Sequence, residues 1–396
     1  MFPLFLPGDK VLLEKSKVFA YGDIVAYLEG TRLTAHRIVY VSPDRKHFVT
    51  KGDNNIKVDA RITKEDILGT VTGLKRGINT IKLKHLYYAQ SSFYLTQLVI
   101  VDNIFGKAKI KYIILRGIVP HLFWAKEPPN RLLADCDIYV KPVDFDKAVK
   151  ALLSGGFVKL PSALLGKGVR GATEVTLQKN TLPYPVRVDL HRGLGIPFTK
   201  LTHLNSLFPK IKDFEANLFQ ETIKAKAGTR RFPILKKETL LIYLLLHWYR
   251  HNFEGTHRME LGKILIDSGV DWKKVEASAK KYGFGNVISL GLALSKKYFG
   301  ADIPLNVDSP ILTFISPLQA GNRVGQGIKR LILALVLSPK DPVSKTTLLL
   351  SPKTLKYVLP ALLSLFGSLS KSSTAYITQD YASHLDLNSK TRAIPS

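Results

Sequence analysis

Asp135-Cys136-Asp137-Ile138-Tyr139-Val140 sets two carboxylates one residue apart at the head of a short apolar run. Side chains on a strand alternate with period two, so a strand here sends both carboxylates to one face. A second run, Pro185-Val186-Arg187-Val188-Asp189-Leu190, carries a third aspartate near its end. On a neighbouring strand, Asp189 completes a cluster of negative charge. Such a cluster is costly without a cation, and hard divalent cations prefer oxygen ligands. Two-metal phosphoryl and nucleotidyl transfer uses sites of this kind. An Asp-x-Asp by itself is weak evidence, because the pattern is common in solvated turns. Two neighbours strengthen it. Gly117 follows an apolar, strand-like run and opens a predicted helix, where backbone N–H groups can approach a phosphate. Arg131, four residues before Asp135, is placed to neutralise one.

Composition bounds the partners. The chain has 396 residues, room for two or three domains, and is 45% hydrophobic, enough for real cores. A single cysteine, Cys136, excludes an internal disulfide framework and fits a reducing compartment. No apolar run reaches the roughly 18–20 residues of a membrane span. The run at 357–369 is short and is broken by Pro360 and Gly367. The N-terminus lacks the basic-then-apolar order of a signal peptide, so the expectation is a soluble cytoplasmic protein. The formal net charge is +27, which points to an anionic partner such as nucleic acid, a nucleotide or a charged surface. That charge is uneven: residues 1–77 carry +4 and the remainder +23. The basic stretch 224–237 is not interleaved with aromatics, which weakens a nucleic-acid reading.

Along the chain, residues 1–77 read as a small β domain, with strands near 10–13, 24–28, 36–41, 47–50 and 67–72. Residues 78–110 read as a linker of one or two helices. Residues 111–235 read as an α/β domain, with a helix starting over 113–124 and a strand at 135–140. A helix at 144–154 follows, ended by Gly155-Gly156, with strands near 175–177 and 186–190. Residues 236–370 read as helical, with segments at 240–248, 272–281, 286–297 and 327–337. Residues 371–396 read as a loose tail. The expected class is therefore α+β and multidomain: a small all-β domain, then an α/β domain with a helical C-terminal half.

An ordered set of motifs resembles a known family. Leu115-Arg116-Gly117, then Arg131 and Asp135-Cys136-Asp137, then Gly155-Gly156-Phe157, then Val188-Asp189-Leu190-His191 are similar to the uncharacterised nucleotidyltransferases of the polymerase-beta-like superfamily. The likeness runs over about residues 110–305, through Leu245-Leu246-His247 and Asp271-Trp272. It implies that Asp135 and Asp137 bind Mg²⁺ (or Mn²⁺) with a nucleoside triphosphate. Asp189 would then be the third carboxylate, as ligand or as base, and Arg116, Gly117 and Arg131 would serve the phosphates. The acceptor stays open: a peptide, a protein, RNA or a small molecule. Arg116 stands where the family usually has Lys, which leaves the grip on phosphate undefined. His191, beside a strand end, reads first as a structural hydrogen-bonding residue. His247, in an apolar helix, reads as a satisfied core histidine.

A second set lies in residues 1–75. Gly22-Asp23-Ile24-Val25, His36-Arg37, Lys51-Gly52-Asp53-Asn54-Asn55 and Asp59 resemble the signal peptidase I-like serine peptidases, in the branch that uses His as base. The resemblance implies His36 as base and Asp53 or Asp59 as the residue that orients it. The family's nucleophile is the Ser of Ser-Met-x-Pro, and this sequence opens Met1-Phe2-Pro3. Ser16 lies beyond that motif. The expectation is either a start upstream that supplies the serine, or a domain used for binding. A third reading is a non-enzymatic module whose basic surface holds RNA or an anionic peptide.

Overall fold

The computed structural model describes residues 8–16, 18–53, 55, 57–125, 129, 130, 133, 135–160, 173–180, 186–195, 202–255, 257–304, 315–318 and 323–355. An all-β region comes first. Its strands are β1 (Lys10–Glu14), β2 (Ile24–Glu29), β3 (Arg32–Val41), β4 (His47–Lys51), β5 (Arg61–Thr63), β6 (Ile67–Arg76) and β7 (Asn79–Lys82). They form one antiparallel sheet in the order β1-β6-β2-β3-β4-β5, with β7 paired to β6. In β6, buried and exposed residues alternate almost strictly, the mark of a strand with one face on a core. The five strands expected from sequence are β1, β2, β3, β4 and β6; β5 and β7 are additional. One helix, α1 (Leu83–Lys107), then spans 25 residues.

The second region begins with β8 (Tyr112–Ile114), α2 (Val119–Phe123), β9 (Cys136–Val140), α3 (Phe145–Ser154) and β10 (Val158–Lys159). It continues with β11 (Glu174–Lys179), β12 (Val186–His191), α4 (Ile211–Asn217), β13 (Thr222–Ala227) and β14 (Arg230–Leu235). Its seven strands run β10-β11-β12-β9-β8-β14-β13. β12 lies parallel to β9 and β14 parallel to β8. The helix expected to start at 113 is a correction. Ile113 and Ile114 are fully buried strand residues between β9 and β14, where β-branched side chains pack well. Only the five residues of α2, with Pro120 in their first turn, are helical. The β13–β14 hairpin was not expected, although its residues alternate Ile223, Ala225, Ala227 with Lys224 and Lys226.

A helical layer completes this region: α5 (Lys237–Arg250), α6 (His257–Asp267), α7 (Trp272–Tyr282), α8 (Gly285–Phe299) and α9 (Arg323–Leu337). The segments expected at 240–248, 272–281, 286–297 and 327–337 lie in α5, α7, α8 and α9. Eleven consecutive residues of α5, Thr239 to Tyr249, are buried, because helices and sheet enclose it on all sides. One hydrophobic core joins α1, this sheet and these helices. The tail at 371–396 and the run at 357–369 lie outside the described residues. Among the described residues no helix is long and apolar enough to cross a membrane.

The β region grips the chain just ahead of the aspartate pair. Arg37, only 7% exposed, makes a bidentate ion pair with Asp53, with both bonds at 2.8 Å. Its Nη1 donates to the carbonyls of Gly22 (2.8 Å) and Asn130 (2.9 Å). Gly22 has φ +94, and a Cβ there would meet the Asn130 amide nitrogen at 2.6 Å. From α1, Gln90 donates to the Leu133 carbonyl (2.7 Å) and accepts from the Leu133 N–H (3.1 Å). Tyr21 against Phe299 and Tyr40 against Tyr298 pack the same β region onto α8. Asn130 and Leu133 are thus fixed before the chain enters the sheet at Cys136.

Candidate active site

Asp137 lies on β9 opposite Asp189 on β12, Cα partner to Cα partner across a parallel pair. The register continues into β11, where Thr176 faces Asp189 and Glu174 faces His191. Period two puts Glu174, Thr176, Asp189, His191 and Asp137 on one polar face, while Val188 and Leu190 point into the core. Asp135 lies just before β9, close enough for its charge to stabilise protonated Arg116 together with that of Asp137.

Asp137 is completely buried, yet ionised. Burial alone would push its carboxyl up, but Arg116 and a hydrogen bond from His191 outweigh burial and hold it well below the usual carboxylate range. Arg116 Nη2 donates to Oδ1 at 2.7 Å. Nε faces Oδ2 at 2.6 Å off the N–H direction, a charge contact rather than a hydrogen bond. His191 Nε2 lies 2.9 Å from Oδ1, and its Nδ1 lies 3.5 Å from Glu174. Arg250 reaches the same Glu174 oxygen at 3.4 Å. Asp189 differs. Burial and the nearby Asp137 charge raise its carboxyl, against the 2.6 Å hydrogen bond from Thr176. Among the described residues it has no Lys or Arg partner.

Arg116 also donates from Nη1 to His247 Nε2 at 2.6 Å. Burial and the Arg116 charge push His247 well below its ordinary value, so the imidazole is neutral and its Nε2 can accept. The histidine is buried as expected, and it is also part of this site. Gly117 has φ +76, and a Cβ there would sit 3.3 Å from the Asp135 carbonyl. Its role here is to let the chain pass close beside Asp135 rather than to open a long helix. Arg131 lies outside the described residues. Sequence reasoning passed over Glu174, Thr176 and Arg250; their nearest signal is the period-two spacing of Glu174 from Thr176 and of Asp189 from His191.

These features, two facing carboxylates on parallel strands with a third just upstream, are the setting for the comparison with known proteins. The model of a family described as uncharacterised nucleotidyltransferase matches residues 83–300, more than half of the chain. The chain belongs to that family. The match starts at the first residue of α1 and ends just past α8, so it takes in every residue of this site. No curated protein matches the chain. A solved structure, an antigenic nucleotidyltransferase-like protein from Paracoccidioides brasiliensis, is similar over 56% of this chain and 94% of its own. The identity is 13% and the TM-score 0.31.

The oxygen donors of Asp135, Asp137 and Asp189 have the hard chemistry that Mg²⁺ or Mn²⁺ takes. Both oxygens of Asp137 are engaged by Arg116 and His191, and among the described residues no three His, Cys, Asp or Glu side chains are grouped to hold a metal ion. Arg116 is therefore the counter-cation of Asp137 in this arrangement. A divalent ion sharing Asp137 requires that guanidinium to turn away.

The β region contains a second constellation. His36 Nδ1 lies 2.6 Å from Asp59 Oδ2. The same oxygen accepts from Thr50 (2.8 Å) and Tyr27 (3.2 Å). Asp59 is thus the carboxylate on His36, whereas Asp53 belongs to Arg37. The hydroxyl of Ser16 is spent on the Val18 carbonyl at 2.6 Å in an exposed local turn.

Proposed function

We propose that the chain transfers a nucleoside monophosphate from a nucleoside triphosphate to an acceptor hydroxyl. The hydroxyl oxygen bonds to the α-phosphorus, the α–β bridging P–O bond breaks, and pyrophosphate leaves. The observation that carries this reading is the register of Asp189 against Asp137. It sets a carboxylate of raised pKa, free of a cationic partner among the described residues, beside one held well below the usual carboxylate range. Asp189 is the group to take the hydroxyl proton, since a base works best with a pKa lifted toward the operating pH. Asp135 and Asp137 would hold Mg²⁺ or Mn²⁺, which when bound offsets the charge of the phosphates, with Asp189 kept as the base. Arg116, once it turns from Asp137, is a guanidinium beside these carboxylates that can serve the phosphates. Family membership supports this reading.

The experiment is incubation with each α-labelled nucleoside triphosphate, Mg²⁺ and cell extract as the source of acceptor. Wild type labels an acceptor, and the Asp135→Ala/Asp137→Ala variant does not. Equal labelling by both, or none by wild type, refutes the transferase.

A second reading concerns the β region alone and is favoured by the 2.6 Å His36–Asp59 contact. Such a contact suits the base and orienting pair of a serine peptidase. It predicts that a polypeptide engineered with a serine ahead of Met1 cleaves a peptide substrate and that His36→Ala abolishes this cleavage. No cleavage by that polypeptide, or full cleavage by the variant, ends it.

A further inference from the structure

The turn after α5 collects cations from three elements. Arg250 closes α5, Arg258 opens α6, and Lys329 and Arg330 come from α9. Arg258 donates to the Glu254 carbonyl (3.1 Å), Lys329 to the Glu254 carboxylate (3.0 Å), and Arg330 to Asn252 Oδ1 (3.4 Å). Arg250 holds Glu174 and the Leu194 carbonyl at 3.4 Å. At that length such bonds are weak. His251 begins the same turn, its ring 4.9 Å from that of His247. Burial, then the charges of Arg258, Arg250, Arg116 and Arg330, push His251 down to about 2. The backbone here is unusual too. Asn252 and Phe253, both buried, have φ +57 and +58; asparagine takes this left-handed region readily, whereas a bulky phenylalanine does so only when the surroundings compel it.

Like charges held together in a half-buried place repel, and an arginine in the first turn of a helix opposes the helix dipole. Two carboxylates, Glu254 and Glu174, face these four cations in the bonds above. Arg116 links this cluster to the carboxylates, since one nitrogen is on His247 and another on Asp137. The geometry points to a polyphosphate site formed by Arg250, Arg258 and Arg330 around the α5–α6 turn, which takes the β- and γ-phosphates of the nucleotide and then the pyrophosphate product. This rests on the transferase reading above. It supplies the phosphate grip that Arg116 and Gly117 leave incomplete, since guanidinium forks suit phosphate oxygens.

The test is calorimetric titration of the full chain with inorganic tripolyphosphate, without nucleotide. Wild type binds, and affinity falls steeply with salt. Arg258→Gln and Arg330→Gln each weaken binding at least tenfold, while Arg330→Lys loses less and Lys226→Gln, on the β13–β14 hairpin, loses nothing. Hydrogen exchange on wild type guards against misfolded variants: tripolyphosphate slows exchange across 247–258. No binding by wild type, protection elsewhere, or folded Gln variants that bind as tightly as wild type overturns the site. If Asp137-dependent labelling persists while tripolyphosphate ignores these arginines, the site fails and the transferase stands. If the arginines govern tripolyphosphate binding and no nucleotide is ever transferred, the site stands and the transferase fails.

Discussion

Asp189→Asn leaves the protein folded and cuts nucleotidyl transfer by about 10²- to 10⁴-fold, the range expected when a positioned base is removed. The asparagine oxygen can still accept from Thr176, so the local hydrogen bond survives. Stability does not fall, because of the sign of the titration. Burial and the charge of Asp137 raise the Asp189 carboxyl in the folded state. Its contribution to stability is therefore complete below the unfolded pKa and is lost as pH rises through the folded one. At neutral pH the ionised side chain opposes folding, and the amide removes that opposition. Transfer assayed beside a urea midpoint checks both halves. Retained transfer excludes Asp189 as the base; a large drop in midpoint makes its role structural.

Asp137→Ala does the reverse and destabilises the fold by about 3–5 kcal/mol, since it strands the Arg116 guanidinium without its counter-charge. Arg116 cannot escape by losing its proton: burial alone would lower its pKa, but the Asp137 charge outweighs burial and keeps it high. Adding Arg116→Met to Asp137→Ala recovers much of the loss, because the pair is then replaced by apolar volume. The pH dependence follows from the lowered Asp137 carboxyl. Its stabilisation is fully present above the unfolded value near ~3.9 and is lost as pH falls through the folded pKa. Wild type should therefore weaken below about pH 4, and Asp137→Ala should lack that part of the slope. Denaturant midpoints from pH 7 to acid measure it. A single variant as stable as wild type contradicts the buried pair.

The polar face was legible where period two could carry it. Asp135, Asp137 and Asp189 stand in apolar runs whose alternation fixes their side, and the parallel register then brings two of them together. Glu174 was not legible, because the pairing of β11 with β12 is written in neither strand alone. His247 reads as core in an apolar helix, and it is core; its bond to Arg116 depends on how α5 lies across the sheet. The choice between Asp53 and Asp59 needed the turn after β4, which hands Asp53 to Arg37 and leaves Asp59 for His36. Ile113-Ile114 misled because three residues are too few for a period to show, and burial between two strands decides them. In the 224–237 stretch the run of lysines and arginines masks a strand alternation, Ala225 and Ala227 against Lys224 and Lys226.

Where the label goes decides whether this face moves a nucleotidyl group. Wild type is given the same nucleoside triphosphate labelled at the α-phosphate in one reaction and at the γ-phosphate in another, with Mg²⁺ and extract. The account predicts α-label on the acceptor and γ-label released as pyrophosphate, both lost in Asp189→Asn. γ-Label on the acceptor, or α-label transfer unchanged in that variant, contradicts it.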